Sequence, residues 1–250
     1  MNRKNLSVKL SKFFKSAAKL WPLFLINLLP LLVYLIYADL TNPAPKFKIA
    51  SESSSYLYEA ENSTFKASIG SRDGGKPEVK FENKHEENIR FTFLSKEETE
   101  PSLKKSGSRS LLFENIDKGI DIEYETLGNG LKEWIVLKEP SRDFFVFEVE
   151  KGDLEARKNY RNLQAPGFHS EDDGYAFNIE KGFAIYALGR RTENVYIQYI
   201  EKEERDYLKV DVDPKWLNSS ERRYPIRIDP TIVYDETSEF ANGEFNRSVD

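Results

Sequence analysis

Apolar residues alternate with polar ones through most of this chain, and that period of two limits what it can fold into. Residues 89–93 read IRFTF and residues 145–149 read FVFEV. Successive side chains of a strand point to opposite faces, so such runs bury one face and leave the other in water. About ten such runs lie between residues 56 and 232, with turn signals such as Asn129-Gly130 between them and no long amphipathic helix. We therefore expect an all-β fold, either a β-sandwich or paired β-sandwiches.

An apolar segment precedes the strand-like part. Residues 20–37 read LWPLFLINLLPLLVYLIY and contain no charged side chain. As a helix, 18 residues would span roughly 27 Å, close to the thickness of the hydrocarbon layer of a membrane. Cations cluster on its N-terminal side alone, which predicts a cytoplasmic N-terminus and an exported remainder. The cations are Arg3, Lys4, Lys9, Lys12, Lys15 and Lys19.

Two other interpretations of this segment stay open beside the uncleaved anchor. A cleaved signal peptide needs a shorter apolar core and small residues before the cut, and Ile36-Tyr37-Ala38 fits that poorly. A buried helix of a soluble protein would be expected to have a polar face, and this segment has none. We therefore expect a single-pass membrane protein whose bulk is extracytoplasmic or on the cell surface.

Composition shifts along the chain suggest where its parts begin and end. Residues 41–55 read TNPAPKFKIASESSS, a linker with a stiff proline start and a flexible serine end. Residues 95–110 are dense in charge, contain Pro101 and Gly107, and are expected to form a loop. The predicted parts are a basic cytoplasmic segment (1–19), a transmembrane helix (20–38), a linker (39–60), an extracytoplasmic β domain (61–232), and a tail or the start of a further module (233–250).

Few residues are candidates for chemistry. The chain has no cysteine and two histidines, His85 and His169, which excludes cysteine-bound zinc, thiol nucleophiles and three-histidine sites. Asp211 and Asp213 flank Val212 and resemble a calcium ligand pair, but a solvated sheet face explains them without a metal. The acidic run at residues 171–174 is explained equally well as a turn. The sequence thus predicts no catalytic, cofactor-binding or metal-binding residues and no cofactor.

The charge balance argues against a nucleic-acid partner. The chain has 37 Lys and Arg against 42 Asp and Glu, and six of the cations lie in the first 19 residues. The strand-like part is therefore acidic, whereas nucleic-acid binding requires clustered cations that face phosphates. We expect no nucleic-acid partner, contact with the lipid bilayer through residues 20–38, and a cell-wall glycan or another surface protein as a further partner.

Two stretches resemble a known kind of protein. The first comprises residues 113–124 (FENIDKGIDIEY) and 130–137 (GLKEWIVL); the second comprises residues 212–217 (VDPKWL) and 224–231 (YPIRIDPT). Together they resemble the β-rich N-terminal region of large bacterial surface and secreted proteins, which carry YD (Rhs-type) repeats or concanavalin-like modules downstream. The resemblance covers residues 110–231 and implies surface architecture, with no catalytic residue to transfer.

The residues of these motifs also have a structural interpretation. Gly119 and Gly130 suit positions of positive φ. Asp121, Lys132 and Glu133 are expected at strand ends, where they pair across a ladder. Asp229-Pro230 is expected to end a strand, because proline cannot donate to the sheet.

These observations favour a structural or adhesive base of a bacterial surface protein, with no catalysis. The alternative is a glycan- or cell-wall-binding module that uses exposed aromatic residues such as Tyr196 or Tyr234. A third hypothesis, an extracytoplasmic hydrolase, requires two acids that face each other across a deep cleft.

Overall fold

The computed structural model describes residues 43–72, 75–97, 99, 101–158, 165–170 and 176–235. All the described strands lie in one compact unit that begins at Ala44. The first strands are β1 (Lys48–Ile49), β2 (Tyr58–Glu61), β3 (Phe65–Arg72), β4 (Lys76–Asn83), β5 (Asn88–Phe93), β6 (Ser102–Lys105), β7 (Ser110–Asp117), β8 (Ile120–Thr126), β9 (Gly130–Leu137) and β10 (Phe144–Glu150). The remaining elements are β11 (Glu155–Lys158), β12 (Pro166–His169), β13 (Ala176–Ile179), β14 (Phe183–Tyr186), β15 (Arg191–Thr192), β16 (Val195–Lys202), β17 (Arg205–Val212), the short helix α1 (Pro214–Leu217), β18 (Ile226–Asp229) and β19 (Ile232–Asp235).

The predicted all-β fold is confirmed. In β4 and β10 every second side chain is buried, as the alternation in the sequence requires. The apolar side chains of β10 that point inward are Phe145, Phe147 and Val149. Burying a large apolar side chain contributes roughly 1.5–3 kcal/mol, so the alternation determines which face of each strand joins the core.

The strands form two sheets in which all described pairs are antiparallel. Sheet A has the order β1-β2-β3-β4-β5-β10-β17-β16. Its last two strands form a hairpin whose register pairs Lys202 with Arg205, so that the turn consists of two residues. Those residues, Glu203 and Glu204, both have positive φ, as this kind of tight turn requires.

Sheet B branches at β9. Residues 131–137 of β9 pair with β8 on one edge, and β8 continues the sheet to β7 and β6. On the other edge, residues 135–137 pair with β18, and residues 130–131 pair with β19. One branch continues from β18 to β14 and β15, and the other from β19 to β13, β12 and β11. β9 is therefore the strand on which the two branches meet.

The core lies between the two sheets and is rich in aromatic rings. The Phe81 ring of sheet A lies 5.5 Å from the Phe177 ring of sheet B. Phe168 of sheet B contacts Phe91 and Tyr199 of sheet A at 6.4 and 5.8 Å. Edge-to-face pairs of this kind contribute about 0.5–1.5 kcal/mol beyond the area they bury. These contacts show that the inner faces of the two sheets pack against each other.

The chain segment expected to be a linker is part of the fold. β1 lies within residues 39–60, β2 begins within them, and Phe47 is 2% exposed. The Phe47 amide donates to the Ser108 carbonyl at 2.9 Å, and the Thr126 hydroxyl donates to the Pro45 carbonyl at 2.5 Å. Isolated apolar residues between prolines and serines carry no periodic signal, so the sequence pattern did not reveal this docking.

Two other segments are more ordered than expected. β6 lies inside residues 95–110, which the sequence assigns to a loop, and it pairs with β7. β19 extends into residues 233–250, which the sequence assigns to a tail. The Tyr234 amide donates to the Asn129 carbonyl at 2.8 Å. Both strands have four residues, which is too short for alternation alone to distinguish them from a loop.

No helix among the described residues is both long and apolar enough to cross a membrane. The predicted span at 20–38 and the basic segment at 1–19 lie outside those residues.

The turn between β8 and β9 confirms one motif and corrects another. Leu127 donates to the Gly130 carbonyl at 2.8 Å, which closes the predicted hairpin. Gly119 has φ +70°, as expected, whereas Gly130 has no positive φ. Glycine is needed at 130 for space: a Cβ atom there would lie 2.3 Å from the Ile232 carbonyl oxygen. The close approach of β19 to β9 is therefore the reason for this glycine.

Candidate functional site

β9 has a cluster of cations and aromatic rings on one face and a buried acid on the other. Leu131, Glu133 and Ile135 point towards sheet A and are buried. Lys132 and Trp134 lie between them in sequence and therefore point to the outer face of sheet B. The sequence placed Lys132 and Glu133 at a strand end, but both lie inside the strand where the sheet branches.

On the outer face, cations lie over two aromatic rings. Trp134 and Phe183 meet edge to face with their centroids 5.7 Å apart. The Lys132 ammonium lies 4.7 Å from the Trp134 centroid, and the Arg227 guanidinium lies at the same distance from that ring. The Arg191 guanidinium lies 3.7 Å from the Phe183 centroid. We call these five residues the cation–aromatic face.

Each cation of this face also has an acidic partner. Lys132 Nζ lies 2.9 Å from Asp229 Oδ2, and Arg227 Nη2 lies 2.5 Å from Glu123 Oε2. Arg191 has a looser contact, 3.7 Å to Glu193 Oε1. The Arg191 and Arg227 side chains are 51% and 39% exposed, so part of each guanidinium faces solvent. These two arginines are the accessible members of the cation–aromatic face.

Buried Asp229 holds Lys132 of the cation–aromatic face in position. It is 3% exposed and accepts a hydrogen bond from the Thr231 hydroxyl in addition to its contact with Lys132. Burial raises the pKa of Asp229, and the hydrogen bonds from Thr231 and Lys132 oppose that rise. Lys132 is thereby held in place above the Trp134 ring.

This arrangement suits the binding of anions and flat rings. A guanidinium over an aromatic ring can also contact a planar base or a phosphate from the side that faces solvent. The acidic partners compete for those N–H groups, so an anionic ligand has to displace a carboxylate. The surface is therefore charge-compensated rather than an open cationic patch.

The inner face of β9 carries a buried acid. Glu133 is 8% exposed and lies opposite Tyr124 in the register of β8 and β9. Burial raises the pKa of Glu133 to about 8, a rise that the hydrogen bond with Tyr124 opposes and the nearby Asp229 charge reinforces. Burial beside that carboxyl group also raises the pKa of Tyr124 well above its usual range. At neutral pH Glu133 is therefore mostly a neutral acid.

The residues singled out in the sequence lie elsewhere. Asp211 Oδ1 forms an ion pair with Lys209 at 2.8 Å. Asp213 caps α1 by accepting a hydrogen bond from the Lys215 amide at 2.8 Å. The acidic run at residues 171–174 lies outside the described residues. Among the described residues, no group of three or more His, Cys, Asp or Glu side chains could hold a metal ion.

The histidines and the candidate aromatic residues are also dispersed. His85 lies in the turn between β4 and β5, and His169 ends β12 in the other sheet. Tyr196 is 43% exposed, whereas Tyr234 is 2% exposed and therefore belongs to the core.

Sequence reasoning missed the cation–aromatic face because its members come from four strands. β9, β14, β15 and β18 each contribute one or two residues. The alternation within each strand indicates which residues share a face, but the order β9-β18-β14-β15 depends on pairings between distant residues.

Comparison with known proteins gives three curated relatives. The chain is 25% identical over 152 residues to a tRNA3(Ser)-specific nuclease WapA of Bacillus spizizenii. It is 24% identical over 152 residues to a tRNA(Glu)-specific nuclease WapA of Bacillus subtilis subsp. natto and to a tRNA nuclease WapA of Bacillus subtilis strain 168. Each match covers 54% of this chain and 6% of the relative. No family model and no solved structure matches the chain.

These relatives overturn three expectations from the sequence. A structural or adhesive base without catalysis, its glycan-binding alternative and the absence of enzyme activity are contradicted, because the curated proteins that share this stretch are nucleases. The exclusion of nucleic-acid partners is contradicted as well, since the relatives act on tRNA. That exclusion rested on net charge, which does not reveal how cations are distributed over one face.

Proposed function

We propose that this chain functions in the cleavage of tRNA, as the β-structured part of a WapA-like nuclease, and that the cation–aromatic face contacts the RNA. The match over 152 residues to three curated tRNA nucleases carries the proposal. The chain spans about 6% of the length of these relatives, so the activity itself is part of what is proposed.

The cation–aromatic face supports a contact with RNA on physical grounds. Proteins recognise unpaired RNA bases by stacking them on aromatic rings or on guanidinium planes. Arg191 and Arg227 are each held over a ring and partly exposed. The carboxylates of Glu123 and Glu193 beside them would make binding weaker and more selective than that of an uncompensated basic patch.

The nuclease activity is tested by cleavage of purified tRNA. The full chain and the complete product of its native gene are each incubated with total tRNA, and the products are separated on denaturing gels. We expect cleavage of a limited set of tRNAs by the complete gene product. Cleavage by the full chain as well would place the active site within these 250 residues. If neither protein cuts tRNA, the proposal fails.

We also propose a location for the chain. Residues 20–38 form a transmembrane helix with the N-terminus in the cytoplasm, and the β-structured unit lies outside the membrane, as in the surface and secreted proteins that residues 110–231 resemble. The apolar run and the cations before it support this location. A protease added to intact cells should digest the β unit and spare it in a variant that lacks residues 20–38. Digestion only after lysis in both strains would contradict the location.

A further inference from the structure

The branch in sheet B leaves a gap beside the middle of β9. β18 pairs with β9 from Ile135 onwards, and β19 pairs only as far as Leu131. Between those points the chain passes from β18 to β19 through Pro230 and Thr231, and Pro230 has no amide hydrogen to donate. Residues 132–134 therefore have no strand partner on that edge in the registers of the described strands.

A small cavity lies between the sheets at this gap. Its volume of about 20 Å³ is enough for about one water molecule. Sheet B contributes Leu131, Glu133, Ile179, Pro230 and Ile232 to its wall. The side chains that line it from sheet A are Val79, Phe91, Phe147 and Leu208.

Glu133 is the only ionisable residue that lines this cavity. Its Oε1 atom is buried and makes no hydrogen bond to any residue that the structure describes. A buried carboxyl oxygen without a partner costs about 1–3 kcal/mol, more if the group is charged. The geometry thus combines an unsatisfied polar atom with a space of the size of one water molecule.

The charged and titratable groups around Glu133 favour its neutral form. Tyr124 of β8 shares a hydrogen bond with it, and Asp229 of β18 lies close enough to repel a second negative charge. Lys132 of β9 is paired with Asp229 on the outer face, and Arg191 of β15 also acts on Asp229. The four side chains that line the cavity from sheet A are apolar. Among the residues that the structure describes, no positive group lines the cavity beside Glu133.

We propose that the cavity is a hydration site in which the protonated carboxyl group of Glu133 binds one water molecule and thereby closes the gap between β18 and β19. The hydroxyl of the acid donates to the water, and its carbonyl oxygen accepts from Tyr124. The remaining hydrogen bonds of the water go to backbone groups at the gap. The site lies on the opposite side of β9 from the cation–aromatic face, and the tests below measure neither binding nor cleavage of tRNA.

Two measurements on the full chain, purified in detergent, test this site together. A high-resolution crystal structure at pH 6 should contain a water molecule within hydrogen-bond distance of Glu133. Infrared difference spectra of the wild type should contain the carbonyl stretch of a protonated carboxylic acid, which disappears above pH 8. In Glu133→Gln that band should be absent between pH 6 and pH 8, where ordinary carboxyl groups are ionised.

Two further variants serve as controls: one removes the carboxyl group from the cavity, and the other removes a neighbouring carboxyl group outside it. Glu133→Leu should fold, because leucine fills an apolar cavity, and its crystal structure should contain no water there. Glu125→Gln, on the neighbouring strand β8, should keep both the water and the infrared band. A carboxylic acid band without a water in the cavity, or a water beside an ionised Glu133, would each overturn the proposal.

Discussion

At the scale of single residues, Gly130 is where two strands come closest. A Cβ atom at this position would lie 2.3 Å from the Ile232 carbonyl oxygen and 3.0 Å from two atoms of Val233. We predict that Gly130→Ala lowers the free energy of unfolding by about 1–3 kcal/mol, because backbone atoms cannot move aside without breaking the β9–β19 pairing. Urea unfolding measures the loss.

Gly152 provides the matched control for that substitution. It has φ +56°, and a Cβ atom there would meet nothing within 4 Å. Gly152→Ala should cost only the backbone strain of a positive φ, about 1 kcal/mol. An equal loss at both positions would show that the close approach at Gly130 has no energetic consequence.

Asp117 at the end of β7 contacts two loops that adjoin strands of sheet A. Its carboxylate lies 2.6 Å from Arg142 Nη2, whose guanidinium carbon stands 5.4 Å from the Phe93 ring centre in sheet A. It also accepts hydrogen bonds from Ser95 Oγ and from the Lys96 and Glu97 amides.

We predict that Asp117→Ala lowers the free energy of unfolding by about 3–5 kcal/mol, because it leaves a largely buried arginine without its partner. Asp211→Ala should cost about 0–1 kcal/mol, since the Asp211–Lys209 pair is partly exposed. Chemical denaturation of both variants gives the comparison. Similar losses would mean that the Asp117 pair is no more important than a surface pair.

Glu133 makes a pH-dependent contribution to the stability of the fold. Its folded-state pKa of about 8 lies above the ordinary value of 4.5, so the folded protein retains a proton that the unfolded chain releases. The contribution of Glu133 to the free energy of unfolding is therefore fully present below pH 4.5 and is lost as the pH rises through 8. The change in the free energy of unfolding is on the order of 5 kcal/mol.

We predict that the wild type loses stability relative to Glu133→Gln between pH 5 and pH 8.5. Urea unfolding of both proteins across that range isolates the effect of this one group. Parallel curves for the two proteins would contradict it.

At the scale of elements, the first strands show that a short segment can be anchored by one side chain. Phe47 is 2% exposed, whereas Ile49, two residues later in β1, is 80% exposed. We predict that Phe47→Ala destabilises the fold by about 3–5 kcal/mol and that Ile49→Ala changes stability by less than about 0.5 kcal/mol. Thermal unfolding distinguishes the two, and equal effects would mean that this segment is not docked.

The elements also show what the sequence could and could not predict. Alternation identified β4, β5, β10, β16 and β17, because each has six or more residues and one buried face. The alternation also indicates that Glu133 is buried, since every second residue of β9 points to the same side and Glu133 lies between Leu131 and Ile135. It could not reveal the branch at β9, which depends on pairing with β18 and β19 almost a hundred residues further along the chain.

At the scale of the whole molecule, contact with RNA predicts a characteristic salt dependence. We expect the double variant Arg191→Ala/Arg227→Ala to bind tRNA more weakly than the wild type. The magnitude of the slope of log K against log salt should fall by about one to two, because two phosphate or base contacts are lost. Fluorescence titration at several salt concentrations measures both.

Arg205→Ala, which removes a 65% exposed arginine of sheet A, is the control and should leave the slope unchanged. Identical slopes for all three proteins would remove the cation–aromatic face from RNA recognition.

The two ends of the described unit are held at the same hairpin. Thr126 binds the Pro45 carbonyl, and Asn129 accepts the amide of Tyr234. Tension applied to the chain on both sides of the unit would therefore load the β8–β9 turn through both attachments. Because β1 pairs on one edge only, whereas β19 lies between β9 and β13, the N-terminal attachment is expected to break first under traction.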